Sequence, residues 1–248
     1  MIMLNNISVI FDKQTALQRV ALDHVSLAMR PGDFITIIGS NGAGKSTLLK
    51  LIAGEVRPAH GKIFFDSIDV THVSVEERAA YIGHVYQDPR LGTCVDFTVE
   101  ENLAFAAERG KQRGLRLACN RKMRSLYRAL LKGAALGLEN RLSDKAMTLS
   151  GGQRQALSLM MATFQLPKIL LLDEHTAALD PKTAKNILAV TKKIVADHHI
   201  TTLMVTHHLL HALNMGNRTI LMQEGKIIRD FDEATRAKIK PEEMIEYF

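Results

Sequence analysis

Two glycine-rich stretches in this chain could hold an anion, and only one of them carries a lysine. Gly39, Ser40, Asn41, Gly42, Ala43, Gly44, Lys45, Ser46 and Thr47 spell G-x-x-x-x-G-K-[ST]. Glycines at these places let backbone N–H groups curl around the β- and γ-phosphates of a nucleotide, Lys45 adds a point charge, and Ser46 offers a hydroxyl to Mg²⁺. Further on, "TLSGGQRQAL" runs from Thr148 to Leu157. Ser150, Gly151, Gly152 and Gln153 lead into apolar residues at helical spacing, which makes a second helix start with free N–H groups and a hydroxyl. A third stretch, "ILLLDE" from Ile169 to Glu174, places two carboxylates after four apolar residues. A buried strand delivers such residues at its carboxyl end, with Asp173 placed to hold Mg²⁺ through water and Glu174 to polarise an attacking water.

These groups need a scaffold, and the pattern around them supplies one. "FITIIG", residues 34–39, reads as a buried strand, and "STLLKLIAG" as a helix ending at Gly54. "ISVIF" and "ALDHVSLAM" alternate like paired strands, and "GKIFFD" is another. "PKTAKNILAVTKKIVADH" is predicted as a helix with Pro181 near its start, "ITTLMVTH" as a strand, and "TILMQEGKIIRDF" as a hairpin around Glu224-Gly225. Strand, helix and strand again point to an α/β sheet. Between Pro89 and Leu149 the signals turn helical: Thr98 and Glu101 have capping-box spacing before a run ending at Gly110, and Met123, Leu126, Tyr127, Leu130, Leu131 and Ala134 recur at helical spacing. The expected fold is therefore α/β with a helical insertion.

Composition narrows the class. With 248 residues the chain is long enough for one large domain, and 46% apolar with 23% charged residues is ordinary for a globular protein. No apolar run approaches the ~18 residues of a membrane span. "MIMLNNISVIFD" lacks a basic n-region, so no signal peptide is expected. Cys94 and Cys119 have no metal-ligand spacing and fit a reducing compartment.

The motifs, in their order, resemble those of the nucleotide-binding subunit of an ABC transporter. "GSNGAGKST", Gln87 in "VYQDP", "LSGGQ" at 149–153, "ILLLDE", "AALD" at 177–180 and His207 in "VTHH" carry the resemblance along nearly the whole chain. It implies a P-loop NTPase (RecA-like) core with an antiparallel β subdomain, made of residues 1–88 and 150–248, and an inserted helical subdomain at 89–149. It implies ATP and Mg²⁺ as ligands, Phe11 against the adenine ring, Gln87 reaching toward Mg²⁺ and the attacking water, and His207 on the γ-phosphate beside Glu174. It also explains the second anion site: two such chains pack head to tail, and Ser150, Gly151, Gly152 and Gln153 meet the γ-phosphate held by the other chain's Lys45. Asp180 would serve the chain-to-chain contact or cap the helix that Pro181 begins. His175 departs from the proline frequent at that position in the family. The implied partners are a second ATPase subunit, in a homodimer, transmembrane permease subunits and a solute-binding protein, with the chain peripheral on the cytoplasmic face of the inner membrane and small-solute import as the expected task. Cargo resembling an amino acid is the expectation, and no direct nucleic-acid contact.

The competing class is a soluble ABC ATPase acting on nucleic acid or ribosomes. The interval between P-loop and signature lacks the sustained heptads of a long coiled coil, and a single ATPase unit is present. The net charge of +6 suits nucleic acid or an acidic membrane surface and does not choose between them. Arg109, Lys111, Arg113, Arg116, Arg121, Lys122, Arg124, Arg128 and Lys132 crowd the helical insertion, with Glu108 the only acid expected to oppose them. That stretch reads first as a solvated face and second as a surface drawn to an anionic leaflet.

Overall fold

The computed structural model describes residues 1–111 and 119–239. They divide into two compact units, 1–78 with the chain from His199 onward, and 79–198. Arg113 and Arg116 of the basic stretch lie outside the described residues.

The first unit opens with β1 (Ile2–Phe11) and β2 (Arg19–Met29). β3 (Phe34–Ile38) is buried at every position and runs into the glycine loop and α1 (Lys45–Ala53), which ends on Gly54 in the left-handed conformation. β4 (His60–Phe65), β5 (Ile68–Asp69) and the short α2 (Val75–Arg78) complete its first part. β1 pairs antiparallel with β2 and β4, and β4 with β5, giving the sheet order β2-β1-β4-β5. The strict alternation expected of these strands is broken by register shifts where Asn6 and His24 take positive φ.

Arg78 explains how α1 ends. It is 1% exposed, and its guanidinium donates to the carbonyls of Leu51 and Ile52 at the C-terminus of α1 and to Val70 and Thr71. A cation there satisfies orphan carbonyls and complements the helix dipole.

The second unit starts with β6 (Ile82–Val85) and continues with α3 (Val99–Ala107), α4 (Arg121–Lys132), α5 (Gly151–Phe164), β7 (Ile169–Asp173) and α6 (Pro181–His198). β6 and β7 pair in parallel, Val85 opposite Leu172. The predicted capping box of α3 is present, Thr98 Oγ1 accepting from the Glu101 N–H and Glu101 from the Thr98 N–H. α4 is capped by Asn120 and buries only Tyr127 and Leu131, with the Tyr127 ring 5.8 Å from Phe164. Burial pushes the Tyr127 phenol up to about 12.

The basic stretch is less free than its sequence suggests. Glu100, on α3, is the counter-ion of Arg124 at 2.6 Å, so Glu108 is not the only opposing acid. No local pattern announces this pair, because the two residues lie 24 apart in the chain and meet only when α3 and α4 pack. Arg109 is turned inward, donating to the carbonyls of Ile82, Ala162 and Gln165. Arg121, Lys122, Arg128 and Lys132 remain exposed on α4.

The chain returns to the first unit with β8 (Thr201–Val205), α7 (Leu209–Asn214), β9 (Arg218–Gln223), β10 (Lys226–Phe231) and α8 (Glu233–Arg236). β3 pairs in parallel with both β8 and β9, and β9 antiparallel with β10 through the predicted turn at Glu224-Gly225, both at positive φ. The expected elements are present among the described residues: an antiparallel β sheet, parallel strands β3, β8 and β9 beside the glycine loop, and helices α3 and α4 between that loop and α5. None of the described helices is long and apolar enough to cross a membrane.

Candidate functional site

In the first unit, the loop between β3 and α1 is bent by glycines that nothing else could replace. Gly39, Gly42 and Gly44 all have positive φ. A Cβ on Gly39 would lie 2.1 Å from the Met222 carbonyl oxygen of β9, and one on Gly44 2.6 Å from the Ala21 oxygen of β2. The turn between β9 and β10 supports the same loop, the Gly225 N–H donating to the Ala43 carbonyl at 3.1 Å and the Asp23 N–H to the Gly225 carbonyl at 2.9 Å. Sequence reading saw Gly225 as a hairpin residue only. Its close packing on Gly44 and Ala21 depends on contacts far apart in the chain.

The loop closes on Lys45. This side chain is 6% exposed, and its ammonium donates to the carbonyls of Gly39 at 2.7 Å and Ser40 at 2.9 Å. Gly44 is the N-cap of α1 and supplies no side-chain cap. Asn41, Gly42 and Ser46 are exposed, Thr47 half-buried, and Ala43 buried beneath them. A glycine cradle, a lysine inside it and uncapped N–H groups fit a polyphosphate.

Phe11 belongs to the same unit. It is 38% exposed at the end of β1 and pairs with Arg19. The Arg19 guanidinium lies 3.3 Å from where a Cβ on Gly42 would stand, so the Phe11 end of the sheet borders the glycine loop. His207 follows β8 and is exposed, its ring 6.3 Å from His208, whose own ring is 4.8 Å from His211. Burial, with His208 beside it, holds His211 below the usual histidine range.

The remaining motif residues sit in the second unit. Ser150 caps α5 with extended backbone; its hydroxyl accepts from the Gln153 N–H, and Gln153 Oε1 accepts from the Ser150 N–H. Gln153 is further engaged by Arg141 and by the Leu136 carbonyl. Helix geometry leaves the N–H groups of Gly151 and Gly152 without intrahelical acceptors. The two glycines differ. A Cβ on Gly152 would meet Thr183 Cγ2 of α6 at 2.3 Å, while one on Gly151 would meet nothing within 4 Å among the described residues. α5 also ties down the Gln87 segment: Gln155, 1% exposed, donates to the Tyr86 carbonyl at 3.2 Å, and Gln87 itself is exposed. Gln155 was missed in the sequence, although a glutamine on the apolar face of a helix was a usable signal.

Asp173 ends β7 and is half-buried. Glu174 follows with φ 44, a conformation that costs a non-glycine residue roughly 1–2 kcal/mol. The Ala177 N–H donates to its carbonyl at 2.9 Å. Asp180 caps α6, its carboxylate accepting from the Thr183 N–H at 3.0 Å, and the hydrogen bonds from Thr183 hold that carboxyl below the usual carboxylate range. The capping alternative for Asp180 is therefore realised. His175, unexplained in the sequence, is buried against α6.

Comparison with known proteins bears on what these motifs serve. The family model described as "ABC transporter" matches residues 22–177. The tyrosine transport ATP-binding protein of Clostridioides difficile is 42% identical over 248 residues, 100% of this chain and 98% of the relative. A methionine import ATP-binding protein of Oceanobacillus iheyensis is 35% identical over 233 residues, covering 93% of this chain and 66% of the relative. Among solved structures, the dimeric post-hydrolysis state of an ATP-binding cassette bound to ADP and Pi aligns with a TM-score of 0.82 at 30% identity, covering 94% of this chain and 99% of that one.

Proposed function

Since this chain belongs to the ABC transporter family, we propose that it is the ATP-hydrolysing subunit of a small-solute importer, acting as a head-to-tail pair on separate membrane-spanning subunits at the cytoplasmic face of the cell membrane. One observation carries the paired arrangement. The chain has a lysine-bearing phosphate cradle and, at the start of α5, an outward anion site whose Gly151 has open space in front of it. The second site adds N–H and hydroxyl donors, and the partner's cradle supplies the charge. A solved relative in dimeric form supports this reading.

Within each composite site the roles divide by chemistry. Phe11 stacks on the adenine. The N–H groups of the glycine loop and Lys45 bind the β- and γ-phosphates. Ser46 and Gln87, with Asp173 through water, would hold Mg²⁺, which would supply charge neutralisation at the phosphates. Glu174 accepts a proton from water as the water oxygen bonds to the γ-phosphorus. The bond from that phosphorus to the bridging oxygen breaks, and the charge leaves on ADP. His207 holds the γ-phosphate. The partner's Ser150, Gly151 and Gly152 close over the same phosphate, with Gln153 holding the cap that aims them. Residues 89–149 serve as the helical subdomain toward the permease, and 1–88 with 150–248 as the core.

The tyrosine transport relative supports cargo of the amino-acid class, selected by a solute-binding protein and the permease. Both relatives named above are transport proteins, which favours this reading over an ATPase acting on nucleic acid. Glu174→Gln tests the core of it. The amide keeps the shape and cannot take the proton, so turnover falls by about 10²–10⁴-fold while a fluorescent ATP analogue binds unchanged. Near-normal hydrolysis would remove Glu174 from the chemistry.

A further inference from the structure

His175 stands directly after Glu174 and is 2% exposed. Its Nε2 lies 3.3 Å from Thr191 Oγ1 in the middle of α6, and Thr191 is fully buried. The Thr191 hydroxyl also reaches the Ile187 carbonyl, one turn back, at 2.8 Å. A hydroxyl owns a single proton. With that proton given to Ile187, the Thr191 oxygen can only accept from the imidazole, so His175 donates from Nε2 and its tautomer is assigned by its partner.

This bond joins two rigid elements across a turn. β7 is buried from Ile169 to Leu172, and α6 buries Ile187, Leu188, Val190 and Val195. Between them Glu174 is held in a left-handed conformation, while Ala177, Ala178 and Asp180 are exposed. His175 is the buried residue within that turn. An inward-facing donor on a buried acceptor restrains the peptide next to Glu174, and a displacement of the order of 1 Å at a catalytic group can cost about 10²-fold in rate.

We propose that His175 is a positioning residue for hydrolysis: its Nε2–H bond to Thr191 locks the turn that presents the Glu174 carboxylate, and so governs turnover without governing nucleotide affinity. The inference rests on the reading of Glu174 as the general base.

The test is a double-mutant cycle on the purified chain, with kcat, KM, nucleotide Kd and thermal unfolding measured for each variant. His175→Leu and Thr191→Val each lower kcat about tenfold at unchanged Kd, and the double variant is no slower than the slower single, as expected when both remove one bond. His175→Gln, whose amide nitrogen reaches about as far as Nε2, recovers most of the rate, and Thr191→Ser keeps it. Rate losses that multiply in the double variant would overturn the proposal, as would losses that track Kd or thermal unfolding. Should His175→Leu fail to fold, Thr191→Val against Thr191→Ser still reads the same bond, and equal rates there would overturn it. Glu174→Gln, measured in parallel, separates the two readings. An inactive Glu174→Gln beside a fully active Thr191→Val removes only the tie, whereas an active Glu174→Gln removes the general base itself.

Discussion

The start of α1 and the start of α5 are both glycine-rich and built in opposite ways. At α1 the glycines answer to the chain's own backbone. Gly39 and Gly44 sit at positive φ, with carbonyl oxygens of neighbouring strands where a side chain would begin, and no side chain caps the helix. At α5 a reciprocal capping box of Ser150 and Gln153 holds the helix start, and neither Gly151 nor Gly152 needs a positive φ. Gly152 is required by Thr183 beneath it, but among the described residues nothing crowds Gly151. A glycine that its own fold does not need points outward for its reason. On the proposed reading, the first start receives a ligand and the second completes a ligand site on another chain.

The comparison breaks most visibly at Gly39. Gly39→Ala sets a methyl against the Met222 carbonyl, so the expected loss is about 4 kcal/mol or more, at the extreme for a single substitution. Urea unfolding measures it, and a loss below that of an ordinary surface change would show that the loop can open. Gly151→Asp is the counterpart. Aspartate at the first turn suits the dipole of α5, so the chain's own stability should hold or rise slightly. ATP-driven pairing should disappear, because a carboxylate about 4 Å from the partner's γ-phosphate costs roughly 4 kcal/mol at an intermediate dielectric. Light scattering in the Glu174→Gln background reports the dimer, and a fluorescent nucleotide reports binding by each chain. A dimer that persists would rule out the shared site.

Smaller changes sharpen the contrast. Ser150→Ala removes the cap of α5 and should cost ~1 kcal/mol of stability, whereas α1, with no side-chain cap, has no equivalent residue to lose. Thermal unfolding of Ser150→Ala against Gly151→Ala, expected to be near neutral, tests whether the cap and the open glycine are separate features. The smallest effect concerns Asp180 at the start of α6. Its carboxyl is depressed by Thr183, so its contribution is fully present above the ordinary carboxylate pKa and is lost as pH falls through its lower folded value. Comparing acid unfolding of the wild type with Asp180→Asn should show a shallower acid limb in the variant. Identical profiles would show that the cap works without the carboxylate's charge.

Much of the molecule was legible because its signals are local. The left-handed stop at Gly54, the capping box at Thr98 and Glu101 and the turn at Glu224-Gly225 are written within a few residues each, and each formed where expected. The apolar run before Asp173 could be read in the same way, since a strand buried along its length has no other use for four consecutive aliphatic side chains. The α3 helix ended at Ala107, before Gly110, and α4 drew its cap from Asn120, which the periodicity alone did not single out.

What the sequence determined by itself is therefore the chemistry and its order: a phosphate loop with its lysine, a capped helix start with glycines, and two carboxylates at a strand end. Short-range spacing suffices for these because the backbone geometry they need spans fewer than about ten residues, the length of the motifs themselves. Tertiary structure decided why particular atoms stand where they do. The close approach of Gly44, Ala21 and Gly225, the pairing of Glu100 with Arg124 and the donation of His175 to Thr191 all join distant parts of the chain. No local pattern announces such contacts. A buried polar group finds its partner only when packing brings the elements together, and the cost of leaving it unpaired then holds the partner in place.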